Sequence, residues 1–147
     1  MIVRPARAGD LKALAGMRFA LWPDEPLEVR LAETRAHLSG DDLRLTTFVV
    51  EDFGELLAFA EVSLRYDYVS GCETSPVAFL EGIYVCPEYR RQGIGRSLVA
   101  AAETWGRDHG CAELGSDARL DNPDSHRFHG GAGFEETGRV VYFRKPI

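Results

Sequence analysis

The sequence predicts an α/β protein in which helices cover a mixed sheet. Short apolar runs rich in β-branched and aromatic residues, which are typical of strands, recur along the chain. Other stretches repeat apolar residues at helical spacing. The strand-like run Phe79–Val85 ends before Pro87 and leads through a glycine-containing turn into a helix, and the remaining elements are arranged around this unit.

The individual elements follow from local patterns. Asp10 precedes the first helical repeat and is its expected N-cap. A proline-containing join then separates this helix from a second one, in which Leu27, Leu31 and Leu38 are expected to face inward. The predicted elements are strand Ile2–Pro5, helices Leu11–Leu21 and Leu27–Leu38, strands Thr46–Val50, Leu56–Arg65 and Phe79–Val85, helix Ile94–Arg107, strand Cys111–Ser116, a short helix from Asn122 to about Gly131, and strand Val140–Phe143.

Composition narrows the class of protein. A length of 147 residues with 45% apolar and 27% charged residues predicts one domain, residues 1–147, with its own core. No apolar run is long enough to span a membrane, and a net charge of −6 argues against nucleic-acid binding and favours a cationic partner. Three cysteines without a Cys-x-x-Cys pair, and no leader-like apolar segment, predict a cytoplasmic protein with free thiols.

The turn after the central strand has the character of an anion site. Gly93 and Gly95 lack a Cβ, so the backbone N–H groups between Arg91 and Arg96 are expected to approach a phosphate closely at the start of a helix. The spacing fits neither the dinucleotide-binding fingerprint nor the Walker loop. An ordinary strand-to-helix turn with solvated arginines is the alternative.

Arg90-x-x-Gly93-x-Gly95 after this strand resembles the pyrophosphate-binding motif of the GNAT superfamily of N-acetyltransferases. The later Gly133-Phe134 pair is similar to that superfamily's second cofactor-contacting segment. The resemblance implies acetyl-CoA as co-substrate, no metal, a mostly antiparallel central sheet whose strands splay at Pro87, and a homodimer. The cofactor-binding residues it implies are Ile83, Tyr84, Val85, Arg91, Gln92, Gly93, Ile94, Gly95, Arg96 and Asn122.

Further blocks resemble the aminoglycoside 6'-N-acetyltransferases: Leu21-Trp22-Pro23, 65–72, Ser75-Pro76, 79–83, Ser116-Asp117 and 133–137. This likeness implies direct acetyl transfer to the 6'-amine of aminoglycoside antibiotics in a ternary complex, which confers resistance. It implies that Trp22, Tyr68, Glu81 and Asp117 contact the substrate. A GNAT enzyme for another amine and a non-catalytic acetyl-CoA-binding module are the alternatives.

The chemistry of acetyl transfer to an amine requires a proton acceptor, because only the neutral amine attacks a thioester. Glu81 lies within an apolar strand and Asp117 follows a strand end, so both carboxylates are candidate catalytic residues. A structural ion pair for Glu81, a cap for Asp117 and a core position for Trp22 remain the alternatives. The sequence leaves open which carboxylate is the base.

Two positions depart from the family pattern. Many GNAT enzymes have a tyrosine, thought to protonate the leaving thiolate, where this chain has His129. Either His129 protonates the thiolate, or it only caps the end of the helix and the thiolate leaves unaided. Close relatives often carry an acid where this chain has Gly138, so that one ammonium contact is either missing or supplied by Glu136.

Overall fold

The computed structural model describes residues 1–147 and contains one five-stranded sheet with helices on both faces. No helix combines the length and the apolar character that crossing a bilayer would require. The strands are β1 (Ile2–Pro5), β2 (Leu45–Asp52), β3 (Glu55–Arg65), β4 (Val77–Val85) and β5 (Leu114–Ser116), and the helices are α1 (Leu11–Leu21), α2 (Leu27–Leu38), α3 (Ile94–Asp108) and α4 (Pro123–Gly131).

The sheet follows chain order, β1-β2-β3-β4-β5, and only the last pair is parallel. The expected mixed, mostly antiparallel sheet is therefore confirmed, and α3 is the crossover that a parallel pair requires. The strand predicted over Cys111–Ser116 is shorter, because only Leu114–Ser116 pairs with β4. The two strands part after Leu80 and Ser116, whereas the sequence placed the splay at Pro87.

Two apolar clusters hold the helices against the sheet. On one face, α3 buries Leu98, Val99 and Ala102 against inward-facing side chains of β2, β3 and β4. On the other face, α1 packs Leu14 and Met17 against the opposite side of β2 and β3. Both contacts follow from the helical spacing of apolar residues and the alternation of the strands.

The buried face of α2 differs from the predicted one. Leu27 is 44% exposed, while Arg30 and Thr34 are the residues of α2 that are buried. Arg30 is buried because its guanidinium bonds to Glu33 at 2.9 Å and to Asp24 at 3.0 Å, which satisfies its charge. The prediction is therefore wrong for Leu27, whereas Leu31 is half-buried and Leu38 packs against the apolar cluster under α1.

Asp10 precedes α1 as expected, but its carboxylate does not cap that helix. It accepts two hydrogen bonds from the guanidinium of Arg4, at 2.8 and 2.9 Å, and a third from the backbone N–H of Arg7 at 2.8 Å. Arg4 also bonds to Glu51 at 2.9 Å. A charged donor attracts a carboxylate more strongly than neutral helix N–H groups do, so Asp10 ties β1 to the start of α1.

The final strand predicted over Val140–Phe143 is wrong for this chain. These residues pair with no strand, and their side chains are 60%, 75%, 87% and 93% exposed. Strand propensity produces a strand only where a neighbouring strand offers backbone partners. No strand of the same chain lies beside this segment.

Replacing Asp10 by asparagine should lower the free energy of unfolding at neutral pH by roughly 1–3 kcal/mol, because the negative charge is lost and one of the two oxygens that accept from Arg4 becomes an amide NH2 group. The hydrogen bond from Arg4 is the main reason that the pKa of Asp10 lies below its ordinary value. The contribution of the Asp10 carboxylate to the free energy of unfolding is therefore present above the ordinary aspartate pKa. It is lost as pH falls through the lower pKa that Asp10 has in the folded protein. Urea unfolding at several pH values measures both effects.

The matched control is Asp41→Asn, in the exposed turn before β2. This variant should unfold like the wild type across the pH range. Equal stability of Asp10→Asn and the wild type at neutral pH would contradict the role given to Asp10.

Candidate active site

The parting of β4 from β5 creates an opening in the sheet. Ala78–Leu80 pair with Leu114–Ser116, but the following residues of β4 have no strand on that side. The predicted cofactor-binding residues Ile83, Tyr84 and Val85 lie on this free edge. Unpaired backbone N–H and C=O groups on a strand edge can pair with an extended ligand as an added strand would.

The turn that follows β4 presents backbone and positive charge at the start of α3. Arg91 and Gly93 both have left-handed backbone angles, with φ of 61° and 80°. Left-handed residues in a turn can point neighbouring backbone N–H groups to one side, where an anion can bind. The side chains of Arg91, Gln92 and Arg96 are exposed. The residues predicted to bind pyrophosphate are therefore together at the N-terminus of α3.

The two positions of this turn require glycine for different physical reasons. Gly93 has open space around it but needs its left-handed angle. A Cβ on Gly95 would lie 2.6 Å from the ring of Phe128, so this glycine allows α4 to pack against α3. Gly95 therefore has a packing reason in addition to the close approach of an anion that was predicted for it.

A β-bulge directs Glu81 into the site. Glu61 of β3 pairs with Gly82 and Val62 pairs with Leu80, so Glu81 is the extra residue. A bulge of this kind places two successive side chains on one face and is common next to active sites. The face that carries Glu81 is the one on which Trp22 lies, because a Cβ on Gly82 would fall 2.4 Å from the Trp22 ring.

Glu81 forms the ion pair that the sequence left open as an alternative. Its Oε1 accepts hydrogen bonds from the hydroxyl of Ser63 at 2.6 Å and from Nε and Nη2 of Arg65 at 3.0 and 2.9 Å. Its Oε2 accepts a further bond from Arg65 Nη2 at 2.8 Å. The guanidinium also stacks 3.5 Å above the ring centre of Phe79. Glu81 is thus half-buried, with its charge neutralised by Arg65.

Trp22 is half-buried between arginines and the sheet. Its indole lies edge-on to Phe59, with ring centres 6.1 Å apart. The guanidinium carbons of Arg18 and Arg30 lie 5.1 and 5.8 Å from its ring centre, and Arg30 Nε donates to the Trp22 carbonyl at 3.0 Å. These contacts fix the ring at the end of α1, next to Gly82.

A buried ionic network behind Trp22 was not predicted. Arg18 and Glu61, both less than 8% exposed, form an ion pair, and Arg18 also bonds to Glu33 at 3.3 Å. Burial is the main cause that lowers the pKa of Arg18, and burial followed by the charge of Arg18 lowers the pKa of His37, which lies beside the pair. The one feature of the sequence that could have indicated this network is Arg18, an arginine on the apolar face of α1.

Tyr68 and Asp117 lie on two segments next to β5, because Val69, the neighbour of Tyr68, has a side-chain carbon 3.2 Å from where a Cβ on Gly115 of that strand would lie. Tyr68 is 83% exposed on the 66–76 loop and lines a cavity of about 350 Å³. Asp117 directly follows β5, is exposed and forms no ion pair. Because Leu80 and Ser116 are paired, Glu81 and Asp117 each follow the last paired residue of neighbouring strands. The structure therefore brings the two predicted carboxylates to the same place in the sheet.

The remaining site residues lie on or beside α4. Asn122 caps this helix by accepting the N–H of Ser125 at 3.2 Å, which leaves its amide N–H groups free for a ligand. His129 donates from Nδ1 to the Ser125 carbonyl and accepts at Nε2 from the Ser116 hydroxyl, both at 2.7 Å. Both ring nitrogens are occupied, so His129 links α4 to β5. Glu136 is paired with Arg139 at 2.5 Å.

The comparisons with known proteins agree with this geometry. The model of the acetyltransferase (GNAT) family matches residues 11–134. Aminoglycoside N(6')-acetyltransferase type 1 of Stenotrophomonas maltophilia is 47% identical, over 99% of this chain and 93% of that protein. The enzyme of the same name from Acinetobacter baumannii is 45% identical, over 100% of this chain and 99% of that protein.

Solved structures show the same architecture. Aminoglycoside N-acetyltransferase AAC(6')-Iy in complex with CoA superimposes with a TM-score of 0.93 at 39% identity, covering 99% of this chain and 95% of that one. The same enzyme in complex with the bisubstrate analogue CoA-S-monomethyl-acetylneamine gives 0.91 at 40% identity, covering 99% of this chain and 98% of that one.

Replacing Gly82 by alanine should displace Trp22, because no side chain can stay 2.4 Å from a new Cβ. We expect a loss of roughly 1–3 kcal/mol in the free energy of unfolding, as overpacking produces. We also expect a red shift of Trp22 emission, measured in a Trp105→Phe background so that one tryptophan reports. Gly138→Ala is the control, because no atom lies within 4 Å of its Cβ position. Unchanged emission in Gly82→Ala would contradict the packing described.

Proposed function

Because the chain belongs to the acetyltransferase (GNAT) family, we propose that it transfers the acetyl group of acetyl-CoA to the 6'-amine of aminoglycoside antibiotics and thereby confers resistance. It works as one acetyltransferase domain, residues 1–147. The observation that supports this proposal is the parting of β4 from β5, which leaves the edge of β4 free ahead of the turn into α3 and sets Glu81 and Asp117 directly after the last paired residues of the two strands. Three free cysteines fit action in the cytoplasm.

Acetyl-CoA lies along the free edge of β4 in this proposal. The backbone of Ile83, Tyr84 and Val85 bonds to the pantetheine arm, and the amide of Asn122 bonds to it from the α4 side. The pyrophosphate rests on the N–H groups of 91–96, where the helix dipole and two arginines favour negative charge. The thioester then reaches the point where β4 and β5 part.

The aminoglycoside approaches from the other side of the sheet. Trp22 and Tyr68 offer flat faces to its sugar rings, and carboxylates attract its ammonium groups. The carboxylate of Glu81 is already paired with Arg65. Its remaining lone pairs accept hydrogen bonds from the aminoglycoside, so Glu81 orients the acceptor. Asp117, which has no cationic partner, is free to bind an ammonium and to take up its proton.

Catalysis is then direct. The 6'-ammonium loses a proton to Asp117, directly or through water, and the neutral amine attacks the thioester carbonyl. The C–N bond forms, the C–S bond breaks, the nitrogen gives up its second proton to become an amide, and the leaving thiolate takes up one proton, directly or through water, so that CoA departs as the thiol. No covalent acetyl-enzyme is needed, because both substrates meet in one ternary complex.

A thiol-release assay with acetyl-CoA and kanamycin or tobramycin tests the function. We expect aminoglycoside-dependent turnover by the wild type. Asp117→Asn should lower kcat by about 10²-fold, the usual contribution of a positioned base. Glu81→Gln should raise the aminoglycoside KM by roughly tenfold through a lost charge-assisted contact and a released arginine. Neither change should alter acetyl-CoA binding.

Asp121→Asn is the matched control, because Asp121 lies in the same β5–α4 segment but pairs with Arg119 away from the opening. It should retain wild-type kinetics. Absence of any aminoglycoside-dependent turnover by the wild type would refute the function, and full activity in both Asp117→Asn and Glu81→Gln would refute the site.

The proposal includes a homodimer. Val140–Phe143 present four consecutive apolar side chains to solvent, and β5 is a three-residue strand at the sheet edge. A second copy of the chain offers the strand neighbour that this segment lacks, and burying such side chains is favourable at about 25 cal/mol per Å² of apolar surface. Exposed strand-forming segments are typical association surfaces.

Sedimentation velocity tests the dimer. We expect the wild type to sediment as a dimer and Val141→Asp to sediment as a monomer at micromolar concentration, because a charge in the interface must be desolvated. Ile147→Asp, at the exposed C-terminus beyond the segment, is the control and should stay dimeric. A monomeric wild type would overturn this part of the proposal.

A further inference from the structure

One carboxylate holds the far end of the 66–76 loop. Oε1 of Glu113 accepts hydrogen bonds from the backbone N–H groups of Glu73 and Thr74, at 2.9 and 2.8 Å, and from the Thr74 hydroxyl at 2.5 Å. Successive N–H groups that converge on one oxygen form a cradle for negative charge. The loop is therefore wrapped around a side chain about 40 residues further along the chain.

The anchor is tied to the sheet, and its further carboxylate contact, with the thiol of Cys72, belongs to the same loop. Glu113 directly precedes β5, and its carbonyl accepts the N–H of Ala78 in β4 at 3.2 Å. Its carboxylate forms no ion pair with any arginine or lysine. The bonds from Thr74 and Glu73 hold the pKa of Glu113 below its ordinary value, which means that the loop favours the charged form.

Internal bonds connect the anchored end of the loop to its aromatic end. The Ser75 hydroxyl donates to the carbonyl of Tyr66 at 3.1 Å, and the N–H of Cys72 donates to the carbonyl of Val69 at 3.0 Å. Tyr68 lies between these two bonds and is itself 83% exposed. Its position is thus set by the loop as a whole rather than by packing of its own ring.

We infer that Glu113 is a positioning residue for acceptor binding, whose carboxylate holds the 66–76 loop so that Tyr68 and Asp67 are already placed for the polycationic amine. The inference rests on the proposed function, and it adds a residue that acts on the acceptor only through the loop. A free loop of this length would have to be ordered on binding, at a cost in conformational entropy. Glu113 removes that cost in advance.

The consequence is a selective effect on the acceptor. Glu113→Ala should raise the aminoglycoside KM by roughly tenfold, as expected when binding must order a loop, and leave kcat and the acetyl-CoA KM within about twofold. The aminoglycoside KM of Glu113→Gln should lie between those of the wild type and Glu113→Ala, because an amide oxygen still accepts hydrogen bonds from N–H groups but carries no charge. A catalytic role would lower kcat instead.

Glu103→Ala is the matched control. Glu103 lines the same surface depression as Glu113 but pairs with Arg107 within α3, at 3.4 Å, and does not contact the loop. We expect wild-type kinetics from it. Turnover of aminoglycosides by the wild type together with unchanged KM in Glu113→Ala would overturn this inference alone, whereas no turnover by the wild type would overturn the proposed function and the inference with it.

Alkylation of Cys72 gives a second readout that needs no catalysis. This thiol lies in the loop, and burial together with the nearby charge of Glu113 raises its pKa. Loss of the Glu113 charge by itself lowers this pKa, so the quantity compared is the rate constant of the thiolate, taken from the pH profile of alkylation. Release of the loop should raise that constant for iodoacetamide several-fold in Glu113→Ala and Glu113→Gln, as judged by peptide mapping, while buried Cys111 stays protected. Equal alkylation rates in both variants and the wild type would also overturn the inference.

Discussion

The end of pairing between β4 and β5 is the constraint on which the site depends. Three residue pairs hold the two strands together, and beyond Leu80 and Ser116 each strand has a free side. That break leaves backbone of β4 free to pair with an extended ligand and sets Asp117 at the strand end, where open sheets bind ligands. A fully paired sheet with the same residues would have neither feature.

The bulge at Glu81 adds a second geometric requirement. Without the extra residue, strand alternation would place Glu81 and Gly82 on opposite faces. With it, the carboxylate and the surface that receives Trp22 share one face, and Gly82 allows the indole to lie directly on the strand. Arg65 then stabilises a carboxylate that would otherwise be costly to bury.

Much of the fold was predictable because its signals are local. The bounds of α1 and α2 follow from prolines and apolar spacing, and β3 follows from a long run of strand-forming residues. Partners distant in sequence were not predictable. The ion pair between Arg18 and Glu61 joins residues 43 apart, and the fate of Val140–Phe143 depends on whether another strand is available. No local pattern encodes either.

The candidate site likewise has features that the sequence predicts and features that only the structure shows. Residue types identified Glu81 and Asp117, but only the structure distinguishes them, since one is bound by Arg65 and the other has no cationic partner. The loop anchor Glu113 had no signal at all, because its donors are backbone groups of the 66–76 loop.

The distribution of arginines explains how an acidic protein can present selected negative charges. Arg65 neutralises Glu81 in the site, and Arg18 neutralises Glu61 in the buried network behind Trp22. Two acids that form no ion pair are exposed, Asp117 at the opening and Asp67 in the loop that carries Tyr68. Exposed charges each contribute little to binding and are screened by salt. Affinity for a polycation must therefore come from several such contacts made at once on aromatic faces, which requires that the loop and the ring of Trp22 be held in place before the ligand arrives.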